Sequence, residues 1–495
     1  MRRPTYRKSR SEPAHTDQGA CAFLKGVLKS VITALVLPGQ YLNKKEVEKT
    51  MRKTPIFLAL LLFVFTVLSA CGSNSSSSDG SKSGASKSGE SNGDTIDLTW
   101  YYPVNVGGEI TKVIDGYAEE FNKEGIEVDG KKVTVTPVYS GNYDESMTKV
   151  QTAVKNGKAP DLAVLLSVDL FQLKDAILPL DDMIEKDPEA KKMMDDFFPG
   201  FMLNSQAEGK TWSVPFQRST VLLYYNKDLF KKAGLDPEKA PENWDEVVEY
   251  GKKLSKDGQW GIELPATISG YWIYQALALQ AGQGNLMSDD GKEVYFNSDA
   301  AKTALQYWVD LSKKHKVMPE GVLDWNTVPS DFIEGKTAMM LSTTGNLTNV
   351  KNNADFEFGV AYLPENERAA TPTGGGNFYI FKDISEERQL ASMEFIKWIA
   401  DSERAAQWSI DTGYIATRQS SYETSALKEY TDSFPQALTA MQQLEKAHKE
   451  ISVYEQGKII KILSDAIQAV IGGSDVDETL EKAQKEADAL LKPYK

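Results

Sequence analysis

Residues 213–230, SVPFQRSTVLLYYNKDLF, are the segment around which the rest of the chain is arranged. Pro215 excludes the interior of a helix, and residues 221–225 form a β-branched and aromatic run that is typical of a buried strand. Residues 226–228 make a polar turn that leads into a helix. Apolar runs and amphipathic helices alternate on both sides, so we expect this strand to carry the chain from one lobe into another. The polar residues 217–220 would then face the cleft between the lobes. The same pattern also fits an ordinary core strand.

The chain is long, acidic and poor in cysteine and histidine. Its 495 residues allow two or three domains, and its formal net charge of −14 argues against nucleic acid as a partner. The two cysteines, Cys21 and Cys71, lie before the globular part, and only three histidines occur. We therefore expect no disulfide framework, no metal site, no histidine-based triad and no cofactor.

The N-terminal part differs from the rest. Residues 51–71, MRKTPIFLALLLFVFTVLSAC, have the positive start, the apolar run and the small residues of a secretory signal. A cysteine directly after such a cut site resembles the bacterial lipobox, in which Cys71 would carry a diacylglyceryl group; a plain transmembrane anchor is the alternative. The basic residues 1–50 are expected to be disordered upstream sequence translated from a misplaced start, or else a cytoplasmic extension. Residues 71–94 are expected to form a flexible Ser/Gly tether.

The globular part is expected to begin near residue 95 with a β-α-β-α-β order. Strands are predicted at residues 96–101, 133–139 and 162–166, and helices at 110–121 and 147–156. This order predicts parallel strands with helices on the sheet faces and a ligand at the carboxyl ends of the strands. Beyond residue 230 helices dominate, with further strands expected at residues 338–342, 358–362 and 378–381.

Five stretches occur together and in order: 141–165 (GNYDESMTKVQTAVKNGKAPDLAVL), 214–247, 332–347 (FIEGKTAMMLSTTGNL), 374–382 (GGGNFYIFK) and 408–418 (WSIDTGYIATR). Together they resemble the extracellular solute-binding proteins of bacterial ABC importers, in the class that includes the maltodextrin- and glycerol-3-phosphate-binding proteins.

The resemblance implies an α/β, two-lobed periplasmic-binding-protein-like fold (type II) with a helix-rich C-terminal lobe and a hinge. It places residues 95–216 with 337–384 in the N-terminal lobe, and 217–336 with 385–495 in the C-terminal lobe. Crossings between the lobes are expected near residues 215–220, 331–338 and 382–392.

The resemblance also assigns ligand-binding residues one position at a time. Tyr143 matches the tyrosine of the GNY turn, Trp272 a tryptophan that stacks on the ligand, and Tyr414 the tyrosine of a TGY motif. The complete predicted set is Tyr143, Asp144, Arg218, Ser219, Trp272, Thr344, Asn346, Gly375, Gly376 and Tyr414. Such aromatic rings suit the apolar faces of sugars, and polar side chains suit their hydroxyl edges. Trp272 and Tyr414 could instead be core residues, and residues 374–376 merely a flexible turn.

The C-terminal region departs from the resemblance. The glycerol-3-phosphate proteins use an arginine there for the phosphate, whereas residues 448–458 contain none. Ser452 or a neighbour falls at that place, with Arg218, His448 or Lys449 as possible substitutes. A neutral sugar or polyol is an equally good expectation.

The predicted function is that of a receptor on the extracellular face of the cell membrane, lipid-anchored through Cys71 in the Gram-positive manner. It captures a sugar, polyol or glycerol-3-phosphate-like solute as a monomer and delivers it to ABC permease subunits, without chemistry. One alternative is a glycoside hydrolase using Asp144 with Glu263 or Asp324. Another is a sensor-accessory protein or adhesin with the same fold.

Overall fold

A computed structural model describes residues 94–256 and 258–495. The predicted upstream segment, the signal peptide, Cys71 and all but the last residue of the predicted tether lie outside the described residues. Within those two ranges, none of the helices combines the length and the apolar character needed to cross a bilayer.

The strands alternate with helices along the chain, as the sequence predicts for most of them. The strands are β1 Thr95–Tyr102, β2 Glu127–Val128, β3 Lys131–Tyr139, β4 Leu162–Leu166, β5 Gln206–Ala207, β6 Lys210–Thr211, β7 Val214–Asn226, β8 Met339–Thr343, β9 Phe358–Ala361, β10 Thr371–Ile380 and β11 Ala447–His448.

Helices fill the intervals between these strands and most of the chain after β10. They are α1 Ile110–Glu124, α2 Tyr143–Lys155, α3 Leu170–Leu173, α4 Asp181–Lys186, α5 Pro188–Asp195, α6 Pro199–Met202, α7 Lys227–Lys232, α8 Trp244–Leu254, α9 Gly270–Gln280, α10 Asp299–Lys313, α11 Thr327–Ile333, α12 Leu347–Asn353, α13 Glu386–Ile399, α14 Ser402–Thr412, α15 Ser425–Ser433, α16 Gln436–Gln443, α17 Gln456–Ile471 and α18 Val476–Leu491.

One sheet runs through the described part of the chain in the order β2-β3-β1-β4-β10-β7-β8, with β9 beside β7 and β11 beside β10. β1 pairs in parallel with both β3 and β4, which confirms the predicted β-α-β-α-β unit. β10 is antiparallel to both β4 and β7. The carboxyl ends of β1, β3 and β4 therefore meet at one edge, where ligands of such sheets bind.

β7 is shared between the two halves of this sheet. All 13 of its residues are buried. Thr220 is paired with Thr373 of β10, whereas the next residue, Val221, is paired with Thr343 of β8. The predicted strand is therefore confirmed and is longer than expected. Pro215 is tolerated because the ladder to β10 has a bulge beside it, where a residue without an N–H costs no regular hydrogen bond.

Two large hydrophobic cores lie on either side of this change of partner. In the first, the N-terminal core, the Trp100 ring lies 5.2 Å from Phe395 and 5.6 Å from Phe378 between ring centroids. The second, the C-terminal core, is centred on α9, every residue of which is buried. Trp308 of α10 and Ile467 of α17 pack in the same core. Because α9 has no exposed face, neighbouring helices and strand β10 enclose it.

Some contacts join residues that the predicted boundaries place in different lobes. Arg388 of α13 forms a two-bonded ion pair with buried Asp161, at 2.6 and 2.7 Å, and so ties α13 to the N-terminal core. Trp408 of α14 stacks on Phe216 in that core, with centroids 4.7 Å apart. Conversely, Met339 of β8 belongs to the C-terminal core. The lobe boundaries, and the crossings expected near residues 331–338 and 382–392, stay predictions. Amphipathic spacing shows that a helix has a buried face, but not which core it contacts.

The chain after residue 433 is less continuously helical than expected. Between α16 and α17 it passes through a short 3₁₀ turn, the two-residue β11 and an extended stretch to residue 453. This stretch, residues 447–453, is called the amide-held segment below, because side-chain amides satisfy most of its backbone.

Candidate ligand-binding site

A cavity lies between the two cores, at the edge where the parallel strands end. Its space is narrow, about 30 Å³, which is enough for a water molecule or two. A sugar-sized solute can enter only when the walls move apart. The lining residues are Asn105, Val106, Tyr143, Leu166, Ser219, Ser269, Tyr271, Trp272, Trp325, Thr343, Gly374, Gly375, Tyr414 and Glu450.

Both cores contribute to this wall. Tyr414 belongs to the N-terminal core, whereas Trp272 and Trp325 belong to the C-terminal core. Trp325 Nε1 donates to the carbonyl of Asn105, which follows β1, at 3.1 Å. The cavity is therefore lined by aromatic rings from two separately packed halves that also bond across it.

The glycines of β10 let the backbone form part of the wall. A Cβ on Gly374 would lie 2.5 Å from the Trp272 ring, so the ring rests directly on the main chain. Trp272 Nε1 donates to the carbonyl of Thr373 at 3.1 Å. Gly375 has a φ of +95°, and a Cβ there would lie 1.8 Å from the carbonyl oxygen of Gln217. These glycines lie within a strand, so the interpretation of a merely flexible turn is wrong.

Tyr143 is the first residue of α2 and is placed by the cap of that helix. Asn142 and Glu145 form a reciprocal capping box, which fixes the direction in which α2 begins. The Tyr143 hydroxyl donates to Gln217 Oε1 at 3.0 Å. Burial raises the pKa of Tyr143 well above its ordinary value, so the hydroxyl stays neutral and remains a donor.

Glu450 is the acidic residue of the cavity wall. Only 2% of its surface is exposed. Its Oε1 accepts a hydrogen bond from the Tyr271 hydroxyl at 2.8 Å, whereas its Oε2 has no hydrogen-bond partner among the described residues. Burial raises the pKa of Glu450 to about 7, against the opposing effects of the Tyr271 hydrogen bond and the Arg218 charge.

Side-chain amides fix the position of Glu450. Asn204 accepts from the Glu450 N–H and donates to its carbonyl, both at 3.0 Å. Gln275 accepts from the N–H of Ile451 at 3.1 Å and donates to the carbonyl of Lys449 at 3.1 Å. The amide-held segment thus has its buried backbone groups satisfied without a continuous strand neighbour.

Other ionisable groups surround Glu450. Burial, with smaller contributions from the charges of Asp144 and Glu450, raises the pKa of Asp169 well above its ordinary value. Burial lowers the pKa of Arg218 to about 10, and the Glu450 charge opposes that change. Arg218 therefore stays cationic at neutral pH. Glu450 and Asp169, in contrast, bind a proton more readily than ordinary carboxyl groups do.

The structure brings together five of the predicted site residues at this cavity: Tyr143, Ser219, Trp272, Gly375 and Tyr414. The other five do not line it. Asp144 is exposed, and Gly376 lies behind the wall with Tyr143 Oη 2.9 Å from where its Cβ would be. Asn346 donates to Ser342 Oγ at 3.0 Å, and Thr344 is fully buried, with its neighbour Thr343 in the wall instead.

Arg218 is also absent from the wall, because successive side chains of a strand point to opposite faces. Ser219 faces the cavity, and Arg218 donates instead to the Gly375 carbonyl at 3.1 Å, Asn377 Oδ1 at 3.3 Å and Thr373 Oγ1 at 3.0 Å. Ser452 does not line the cavity either, and its hydroxyl donates to the carbonyl of Val168 at 2.8 Å.

Sequence reasoning missed Tyr271, Trp325 and Glu450. Tyr271 directly precedes the predicted Trp272 at the start of α9, so the prediction of Trp272 already indicates this part of the chain. Glu450 lies two residues before Ser452, the position that the resemblance indicates. No pattern in the stretch shows that Glu450, and not Ser452, lines the cavity. Of the carboxylates considered for a hydrolase, Glu263 and Asp324 do not line the cavity either.

Comparison with known proteins agrees with this fold. The two-lobed structure of UgpB from Mycobacterium tuberculosis, solved in complex with glycerophosphocholine, matches with a TM-score of 0.70 and 24% identity over 80% of this chain and 98% of that one. Maltose-bound MalE3 from T. maritima matches with a TM-score of 0.68 and 24% identity over 80% and 99% of the two chains. The fold is that of the two-lobed periplasmic solute-binding proteins.

The sequence comparisons show the family. A profile for bacterial extracellular solute-binding proteins matches residues 116–436. The sn-glycerol-3-phosphate-binding periplasmic protein UgpB of Pectobacterium atrosepticum is 28% identical over 410 residues, which are 78% of this chain and 90% of that protein. The chain belongs to the bacterial extracellular solute-binding proteins, as the substrate-binding protein of an ABC importer.

Proposed function

We propose that this chain is a membrane-anchored lipoprotein on the extracellular face of the cell, which captures a sugar, a polyol or a glycerophosphate-type solute and delivers it to an ABC permease. The observation that carries the proposal is the cavity whose wall combines aromatic rings from both cores with a small number of polar groups. The signal and cysteine at residues 51–71 support the lipid anchor.

The arrangement explains how a solute could close the protein. Ser219 and the β10 backbone lie in the strands that join the halves, whereas the rings of Trp272 and Tyr414 come from opposite cores. A solute that contacts both rings interacts favourably with the closed arrangement only. Its differential affinity for that arrangement is what shifts the population toward closure.

Thermal denaturation of the purified full-length protein tests this function against maltose, glycerol, glucosamine, glycerophosphocholine and sn-glycerol 3-phosphate. A solute at a hundred times its Kd should stabilise the protein by about 2.7 kcal/mol. The proposed function fails if no member of these chemical classes raises the melting temperature.

A matched pair of tryptophan variants separates binding from packing. Trp272 is 4% exposed and packs in the C-terminal core, so its replacement lowers the melting temperature even without a solute. Trp308, which is 1% exposed in the same core, does not line the cavity. We expect Trp272→Leu to lose the solute-induced shift, measured from its own solute-free melting temperature, and Trp308→Leu to retain it. Equal shifts in both variants would contradict a binding role for Trp272.

A further inference from the structure

A phosphomonoester would meet an acidic wall in this cavity. Glu450 is the one acidic residue among those lining the described cavity, and none of them is lysine, arginine or histidine. A phosphate buried there would lie near a buried carboxyl group without a cation in the lining to neutralise it.

The cations near the cavity are engaged elsewhere. Arg218 uses both terminal nitrogens on the carbonyl of Gly375 and on Thr373 and Asn377. Lys449 Nζ donates to the carbonyl of Asp289 at 3.1 Å. Neither residue, nor His448, lines the cavity. The substitutes that the sequence offered for a phosphate-binding arginine are therefore not in position to serve as one.

Helix ends offset this acidity only in part. The N-termini of α2 and α9 contribute Tyr143 and Tyr271 to the wall, and such ends carry about half of a positive elementary charge each. The Tyr271 hydroxyl, a donor at the start of α9, is already engaged by Glu450 Oε1. Asp169 is buried as well, and the charge of Glu450 contributes to raising its pKa, so a second carboxyl group rather than a cation lies near Glu450.

One buried oxygen atom of the cavity wall has no hydrogen-bond donor among the described residues. Oε2 of Glu450 is buried and accepts no hydrogen bond from the described residues, although buried acceptors are nearly always paired. A hydroxyl or ammonium group of a solute would supply that missing donor, whereas a phosphate oxygen would not. The fixed backbone of Glu450, held by Asn204 on both sides, keeps the carboxyl group in the wall.

We infer that Glu450 makes this cavity select solutes that present hydroxyl or ammonium donors to it, and reject phosphomonoesters such as sn-glycerol 3-phosphate. The inference rests on the proposed function, and it separates this chain from the sn-glycerol-3-phosphate-binding relatives that it resembles. The hydroxyl and ammonium groups share one chemistry, that of donating a hydrogen bond to a buried carboxyl group.

Titration calorimetry on the full-length protein at pH 7.5, above the pKa of about 7 that burial gives Glu450, tests the selectivity with maltose, glycerol, glucosamine and sn-glycerol 3-phosphate as probes. We expect the wild type to bind sn-glycerol 3-phosphate at least tenfold more weakly than the best of the other three. Glu450→Gln keeps the shape of the side chain and the acceptor for Tyr271 but removes the charge. In this variant the ratio of the Kd for sn-glycerol 3-phosphate to the Kd for the best other probe should fall by about tenfold or more. If glucosamine loses more affinity than maltose in this variant, the ammonium group is the preferred donor; an equal loss indicates hydroxyl groups.

Glu263→Gln is the matched control. Glu263 is also 2% exposed and also has an unpartnered Oε2, but it does not line the cavity. We expect this variant to leave all four affinities in their wild-type ratios. Preferential binding of sn-glycerol 3-phosphate by the wild type would overturn the inference while leaving the proposed function intact. Equal ratios in the wild type and Glu450→Gln would overturn it as well. Failure of all four probes to bind the wild type would count against the proposed function itself, and the inference would fall with it.

Discussion

The buried carboxyl group of Glu450 couples the stability of the fold to pH. Its pKa rises from an ordinary 4.5 to about 7 on folding, chiefly through burial, while Tyr271 and Arg218 oppose the rise. The folded state therefore holds the proton more tightly than the unfolded state does. The stability from this proton is complete below about pH 4.5 and is lost as the pH increases through 7.

We expect Glu450→Gln to remove that loss. Between pH 5 and pH 8 the wild type should lose about 2 kcal/mol more of its free energy of unfolding than the variant, measured by urea denaturation at both values. Glu263→Gln should also flatten the profile, because burial raises the pKa of Glu263 to about 7 as well. Parallel pH profiles for the wild type and Glu450→Gln would show that the carboxyl group titrates normally.

Gly375 is a second residue whose identity is dictated by its surroundings. Its positive φ and the proximity of the Gln217 carbonyl leave no space for a side chain. We expect Gly375→Ala to lower the free energy of unfolding by about 3 kcal/mol or more, measured by urea denaturation. Gly284→Ala is the control, since a Cβ there has no atom within 4 Å, and it should change stability by less than about 0.5 kcal/mol. Equal effects would mean that β10 can move aside at Gly375.

Site residues could be predicted from the sequence where a local motif fixes the direction of a side chain. Tyr143 follows a helix cap and Tyr414 follows the helix-ending Gly413, so neighbouring residues alone determine their positions. Arg218 and Ser219 are adjacent in a strand, and only the tertiary structure decides which of them faces the cavity. Glu450 is placed by Asn204, 246 residues away in sequence, which no local pattern can reveal.

At the scale of elements, the amide-held segment replaces strand pairing by side-chain hydrogen bonds. Asn204 satisfies both backbone groups of Glu450 and is itself 1% exposed. We expect Asn204→Ala to cost about 1–3 kcal/mol of stability, because two buried backbone groups lose their partners. Hydrogen exchange should also become faster at residues 447–453.

An exposed amide provides the control for this element. Among the residues that the structure describes, the Asn353 side chain, at the end of α12, bonds to Asn349 of its own helix alone. Asn353→Ala should change neither the exchange of residues 447–453 nor the stability by more than about 0.5 kcal/mol. Unchanged exchange in Asn204→Ala would show that the segment is held by its apolar contacts instead.

Elements whose neighbours are close in sequence were the predictable ones. β1, β3 and β4 with their helices form one local unit, and their order alone predicts the parallel sheet. The contact of α13 with the N-terminal core could not be predicted, because it depends on the pair Arg388–Asp161, whose members are 227 residues apart. The apolar pattern of α13 is equally compatible with either core.

For the whole molecule, we propose that the two rigid bodies are centred on the N-terminal and C-terminal cores, with the change of partner within β7 as a hinge. Thr220 and Val221 mark that change. Hinges of this kind concentrate motion in a few residues while the packed cores move as units. The Trp325 bond to the Asn105 carbonyl then belongs to the closed arrangement alone.

Small-angle X-ray scattering can follow this closure. A bound solute should reduce the radius of gyration, and Trp325→Phe should weaken solute binding by about threefold to tenfold, because one bond of the closed arrangement is lost. Trp260→Phe, at a residue that is 36% exposed and outside the cavity, should bind as the wild type does. A radius of gyration that is insensitive to bound solute would exclude hinge closure.

The way in which residues 447–453 are held has a practical consequence for redesign. Asn204 and Gln275 form hydrogen bonds with the main chain there and do not contact the side chain at position 450 through those bonds. Position 450 should therefore accept those replacements that fit the buried space and keep an acceptor for the Tyr271 hydroxyl. A biosensor for new metabolites could be evolved at that position, with the remainder of the receptor left as it is.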